Sequence, residues 1–264
     1  MTDLSRRDWV LTLAAGMVAG ACSRRSDAGR KLRVAAAADL TKAFSELAGQ
    51  FKTKTGITVE LEFGASGVLA RQIELGAPFA MFAAANRSYV DQVVKSGRCD
   101  GATATSYARG QIVVWTSARV RPPKTLAELA DPRFKRIAIA NPDQAPYGKA
   151  AKQALETAGL WPQLQDRILL GDNIHATMLR ARNGDADAAI VAHSLAVAAE
   201  RGASLPIDTA LYAPLDQALV ICGTGEAAAA AKQLAALIAS HDGRELMTRY
   251  GFALPEEQVP SRAP

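Results

Sequence analysis

The sequence predicts an α/β fold built from two successive series of strands and helices. Three observations predict it. Apolar runs of strand length alternate with stretches of helical period, glycines close the helical stretches, and the alternation begins afresh after residue 110. Residues 32–36 read as a buried strand. Phe44, Leu47, Ala48 and Phe51 then recur at helical spacing, and Gly56 closes that helix. Ile57, Val59, Leu61 and Phe63 alternate as in a half-buried strand, and residues 64–67 form a turn. Leu69, Ala70 and Ile73 open a helix closed at Gly76, residues 81–85 are a short strand, and Tyr89, Val93 and Val94 mark a helix ending near Gly97. This order implies a parallel sheet with helices on both faces.

The second series starts with a strand at 111–117. After Pro122-Pro123 come a short helix at 126–130, a strand at 137–140, a helix at 147–158 stopped by Gly159, a strand at 168–170, a helix at 174–182 and a strand at 188–191. A last strand at 217–222 precedes an alanine-rich helix at 227–238 and a final helix at 243–250. The tail from Pro255 is polar and is expected to fray.

The 264 residues are 49% hydrophobic and 22% charged, enough for a substantial core. Aromatics make up only 6%, which favours helices packed on small-residue surfaces. The net charge of +5 is uneven: residues 1–22 sum to zero, residues 23–31 carry +3, and the rest carries only +2. The basic character therefore belongs to a short stem. No basic stripe with interleaved aromatics occurs, which excludes a nucleic-acid partner.

The amino terminus reads as an export signal. Ser5-Arg6-Arg7-Asp8-Trp9-Val10 is a twin-arginine pattern, and the apolar run at 9–21 is too short to span a bilayer comfortably. It ends in Val18-Ala19-Gly20-Ala21-Cys22, which resembles a lipoprotein cleavage site with Cys22 as the lipidated residue. Plain cleavage with Cys22 incidental is the alternative. Residues 1–31 are thus expected to be signal and tether, and the basic stem can also touch anionic headgroups. Cys99 and Cys222 remain. In an exported protein they either pair or lie buried as small hydrophobes, and the sequence leaves both open.

Four strand-to-helix turns carry the candidate chemistry, at 38–41, 64–67, 146–148 and 172–174. Each offers backbone N–H groups at a helix start, where unpaired donors and the helix dipole attract anions. Open α/β sheets bind ligands in such crevices. Alternatively, Asp39, Ser66 and Asn173 are only helix caps. Enzyme signatures are scarce. His175, His193 and His241 form no zinc-binding spacing, and neither a GxSxG elbow nor a P-loop occurs. An exported hydrolase using Ser66 with His175 or His193 is the weakest of the readings.

Several stretches, in order, resemble the molybdate-binding proteins that feed ABC transporters. They are Val34-Ala-Ala-Ala-Ala-Asp-Leu-Thr-Lys-Ala-Phe44, residues 63–78 around Gly64-Ala65-Ser66-Gly67, residues 141–155 around Pro146-Tyr147-Gly148 with Gly159-Leu160-Trp161 after them, residues 171–178, and Arg249-Tyr250-Gly251-Phe252. The resemblance implies a two-lobed type II periplasmic binding protein fold, each lobe a mostly parallel sheet flanked by helices. Lobe I would comprise 32–110 and 225–264, lobe II 111–224. It also implies a receptor that holds molybdate or tungstate as an oxyanion in the interlobe cleft, with hydroxyls and backbone N–H groups, no direct metal ligands and no cofactor. The expected partners are an ABC permease and, through a lipid anchor, the membrane; a monomer is expected, in the periplasm or at the cell surface.

Carried over by position, Ser66 supplies a hydroxyl and an N–H, while Tyr147 and Ile174 supply backbone N–H groups. The chain departs from the family pattern elsewhere. Asp39 stands at the first hydroxyl position, and Ala192 followed by His193 stands where a tyrosine is expected; Ala80 and Asn86 replace common acidic residues. A carboxylate about 4 Å from a unit negative charge costs roughly 4 kcal/mol at an effective dielectric of 20. Asp39 therefore caps the helix, or is protonated, or the receptor serves a different oxyanion or small polar solute.

Overall fold

The computed structural model describes residues 30–255. The twin-arginine pattern, Cys22 and the tail beyond residue 255 lie outside the described residues.

Two five-stranded mixed sheets form the frame. In chain order the first series is β1 (Lys31–Ala37), α1 (Thr41–Thr55), β2 (Thr58–Gly64), α2 (Ser66–Glu74), β3 (Met81–Ala84), α3 (Arg87–Lys95) and β4 (Asp100–Gly110). The second is β5 (Ile112–Thr116), β6 (Ile137–Ala140), α4 (Pro146–Thr157), α5 (Trp161–Leu164), β7 (Ile168–Gly171), α6 (Ile174–Asn183), β8 (Ala188–Ala192), α7 (His193–Val197) and β9 (Ala203–Pro206). The chain ends with β10 (Leu215–Ile221), α8 (Gly225–Ala239) and α9 (His241–Arg249). Strand order is β2-β1-β3-β10-β4 in the first sheet and β7-β6-β8-β5-β9 in the second. In each sheet the first three strands run parallel and the remaining two pair antiparallel.

Two findings differ from the sequence reading. The last strand, expected in the second lobe, belongs to the first sheet, because β10 pairs with both β3 and β4. The chain thus crosses to the second sheet between Gly110 and Ile112 and returns before Leu215. Strand β4 was not predicted at all. Its sequence, Asp-Gly-Ala-Thr-Ala-Thr-Ser-Tyr-Ala-Arg-Gly, has no alternation of bulky apolar residues, since much of its first half is exposed. Against β10 its register shifts: Gln217 faces Ala108 but Ala218 faces Ser106, which leaves Tyr107 as an extra residue. Such a bulge re-aims a side chain, and Tyr107 is buried.

Small residues let the layers approach. Ala35, Ala36, Ala37, Ala188, Ala189 and Ala192 are all buried in strands, with Phe44, Leu47 and Phe51 of α1 and Leu234 and Ile238 of α8 over the first sheet. No helix among the described residues is long and apolar enough to cross a membrane.

Cys99 and Cys222 form a disulfide. They flank the paired ends of β4 and β10, where Ile221 faces Asp100, so strand pairing brings two residues 123 positions apart together. Closing so long a loop restricts the unfolded chain. Replacing both cysteines by serine is expected to lower unfolding stability by about 2–4 kcal/mol, measured by urea denaturation with the wild type run in parallel with and without reductant.

Candidate functional site

The parallel strands of both sheets end where the sheets face each other, and the helices that follow them begin there. Four contacts join these helix starts across the interface. The Gly67 N–H, in the first turn of α2, donates to the Gln144 carbonyl just before α4 at 2.9 Å. Tyr147, at the start of α4, donates its hydroxyl to Asp39 Oδ2 at 2.8 Å. Ser194 Oγ, in α7, donates to the Asp39 carbonyl at 3.0 Å. His175 Nδ1, in α6, lies 3.4 Å from Thr41 Oγ1 at the start of α1. The first N–H groups of a helix have no intrahelical acceptor, and they carry the positive end of its dipole.

Asp39 sits in a 3-10 turn, Ala38–Leu40, between β1 and α1, 2% exposed. Its carboxylate does not cap α1; it is turned into the interface. Gln217 Nε2 of β10 donates to the same Oδ2 at 2.6 Å and also lies 2.9 Å from the Tyr147 hydroxyl oxygen. The orientation of the Gln217 amide follows from Tyr107, whose hydroxyl donates to Gln217 Oε1 at 2.9 Å and so leaves the NH2 side facing Asp39. The close approach of Tyr147 depends on Gly110, where a Cβ would stand 2.1 Å from the tyrosine oxygen.

Burial raises the Asp39 pKa to about 6, with the hydrogen bonds from Tyr147 and Gln217 pulling against it. Tyr147 and Tyr107 are pushed well above the usual tyrosine range, first by burial and then by the Asp39 charge, so both keep their protons and remain donors.

The other predicted residues lie as follows. Ser66 is fully buried in the first turn of α2, and its Oγ accepts the Ala85 N–H at 3.0 Å, so it too is not a cap. Ile174 is the buried first residue of α6; the preceding Asn173 does cap, accepting the Ala176 N–H at 2.9 Å. Ala192 is buried at the end of β8. His193 donates its backbone N–H to the Gln111 carbonyl, and its ring lies beside Gly251. Ser66 has neither His175 nor His193 among its hydrogen-bond partners. Among the described residues no group of three or more His, Cys, Asp or Glu is arranged to hold a metal ion.

Sequence reasoning missed Gln217, Tyr107 and Ser194. Gln217 carried a signal: it is the one amide in a strand that is apolar and buried apart from the half-buried Asp216, and a buried polar side chain requires a partner. Tyr107 lay in the unpredicted strand, and Ser194 was hidden behind His193.

The raised Asp39 pKa has a consequence for folding. Relative to an ordinary carboxyl, its stabilising contribution is complete below about pH 4 and is lost as pH rises through about 6, a loss on the order of 3 kcal/mol. In Asp39→Asn the amide oxygen can take over the bonds made at Oδ2. The variant is expected to melt above the wild type at about pH 8, with the gap closing towards about pH 4. A wild type that melts higher at the alkaline end would show the ionised carboxylate to be net stabilising.

Comparison with known proteins accords with this geometry. The family model described as bacterial extracellular solute-binding protein matches residues 32–253. The molybdate-binding protein of Rhodobacter capsulatus is 33% identical over 218 residues, covering 83% of this chain and 86% of that protein. The molybdate-binding protein of Escherichia coli is 31% identical over 232 residues, covering 85% and 89%. The solved periplasmic molybdate-binding protein of Azotobacter vinelandii superposes with a TM-score of 0.79 at 29% identity, covering 85% of this chain and all of that one. Two α/β sheets meeting at their helix starts, with a family match that spans both of them, place the chain in the bacterial extracellular solute-binding protein family.

Proposed function

We propose that the chain is the solute-binding component of an ABC uptake transporter and that it binds molybdate or tungstate between the two sheets. The observation that carries this reading is the convergence of the α2, α4 and α6 starts at one interface, in a chain whose relatives are named molybdate-binding over most of its length. Fixed N–H groups and hydroxyls replace water around an oxyanion without a neutralising cation. In this reading Ser66 offers its hydroxyl and N–H, Tyr147 and Ile174 their backbone N–H groups, and Asp39 occupies the remaining hydroxyl position. Ala192 and His193 stand where the family pattern has a tyrosine. Tyr147, on the same second-sheet side as Ala192, brings a phenol hydroxyl, so this chain keeps a tyrosine donor at the interface from a different position.

A second reading keeps the receptor class and changes the ligand to another oxyanion. Asp39 favours it where that oxyanion carries a proton, as phosphate does near neutrality, because a carboxylate beside a bare dianion is unfavourable by several kcal/mol, roughly twice the 4 kcal/mol estimated for a single charge. Titration calorimetry against molybdate, tungstate, sulfate and phosphate separates the two. Saturable one-to-one binding of molybdate or tungstate is expected, with compaction in small-angle scattering as the lobes close on the ligand. Binding of phosphate or sulfate alone would select the second reading. Asp39→Ser restores a neutral hydroxyl and is expected to tighten molybdate binding at least tenfold at about pH 8, equivalent to about 1.4 kcal/mol.

The reading extends to the cell. The protein works as an exported monomer that delivers its ligand to a membrane permease, and it is tethered through lipid on Cys22. Cys22→Ala is expected to move the protein from the membrane to the soluble exported fraction. Wild-type protein already wholly soluble after export would remove the anchor from the proposal and leave the receptor intact.

A further inference from the structure

The two oxygens of the Asp39 carboxyl are in unequal positions. Oδ2 accepts from Tyr147 and from Gln217. Oδ1 is buried with no hydrogen-bond partner. A buried carboxylate oxygen without a donor is unfavourable, and native structures rarely leave one unexplained. Among the described residues no cation compensates it. Among the described residues the groups around Asp39 are Tyr147 from α4 and Gln217 from β10 on the carboxyl, its own backbone N–H beside it, Tyr107 from β4 behind Gln217, and Ser194 from α7 on the Asp39 carbonyl, all neutral donors. His175 of α6 reaches only Thr41; burial first, then the nearby Arg182 and Lys42, lower its pKa and favour its neutral form. His193 turns beside Gly251, and Lys42, the nearest cation along the chain, is exposed.

We propose that this site takes up its oxyanion together with one proton, held between the ligand and Asp39 Oδ1, so that Asp39 selects the protonation state in which the ligand is bound. The inference rests on the reading that the oxyanion lies against Asp39. A protonated carboxyl donating to a dianion and a carboxylate accepting from a hydrogen-oxyanion contain the same number of protons, and both give Oδ1 the partner it lacks. In either form the repulsion between carboxylate and dianion becomes an O–H···O⁻ hydrogen bond, the stronger class of such bonds. The proton comes from solvent and no covalent bond changes. Tyr147 and Gln217 hold Oδ2 and so point Oδ1. Burial has already brought the carboxyl pKa to about 6, which puts the proton within reach near neutrality.

Calorimetric titration of the whole protein with molybdate, over about pH 5 to pH 8 and in buffers of differing ionisation enthalpy, counts the protons taken up. For wild type, affinity is expected to fall about tenfold per pH unit above about pH 6, with uptake approaching one proton per ligand, and to level off below that pH. Asp39→Asn, which keeps His175, His193 and all neutral donors, is expected to bind with little pH dependence and no proton uptake. Wild-type affinity that is flat with pH, with no uptake, overturns the inference and leaves the receptor reading standing. An unchanged slope in Asp39→Asn also overturns it, by moving the proton to another group such as His175. Failure of both proteins to bind molybdate, tungstate, sulfate or phosphate at any pH overturns the receptor reading and this inference with it.

Discussion

One carboxyl group, that of Asp39, is buried where two sheets meet, and the arrangement around it is a response to that burial. A charge in such a place needs donors, and they arrive from three directions: a phenol from the second sheet's α4, an amide from β10 and, on the backbone of the same residue, a hydroxyl from α7. Each donor imposes a further condition. The phenol requires Gly110 to lack a side chain. The amide requires a second tyrosine, Tyr107, to fix its orientation, and that tyrosine requires a bulge in β4 to turn inward. Residues spread from 39 to 217 are thereby committed to one polar group.

The fold prepares this meeting point before any side chain is considered. Parallel strands place the starts of the following helices at one end of each sheet, and the two sheets turn those ends toward each other. The result is a region rich in fixed dipoles and poor in mobile charge. An anion there is held by geometry, and a formal charge placed there is felt strongly because little nearby can screen it. Asp39 is that charge, and in such a setting one carboxyl dominates the chemistry of the interface.

Much of this was legible in the sequence, though unequally. Helices with bulky residues at period, such as Phe44, Leu47 and Phe51, and strands with alternation, such as Ile57 to Phe63, announced themselves through local pattern. Strand β4 did not, because alanine, threonine and serine carry no periodic contrast. The return of β10 to the first sheet is set by pairing with strands more than 100 residues earlier, and no local signal encodes it. The turns bearing Asp39, Ser66, Tyr147 and Ile174 stood out as helix starts and through the family resemblance. That Asp39 meets Tyr147 and Gln217 was beyond reach, since contact between residues 39, 147 and 217 is a property of the closed fold alone. His193 drew attention as an ionisable residue past a strand end, while its neighbour Ser194 is the one that bonds to Asp39.

The disulfide between Cys99 and Cys222 lies at the end of the β4–β10 ribbon opposite to the two crossings into the second sheet. That ribbon is irregular, with two breaks in its pairing, and a strand that slips by one residue turns every side chain to the other face. A slip here would rotate Gln217 away from the carboxyl and strand Tyr107 on the wrong side. The covalent bridge fixes the register at that end and so opposes such a slip. A pair of cysteines far from the interface thus acts as an indexing pin for the ribbon that carries Tyr107 and Gln217 into it.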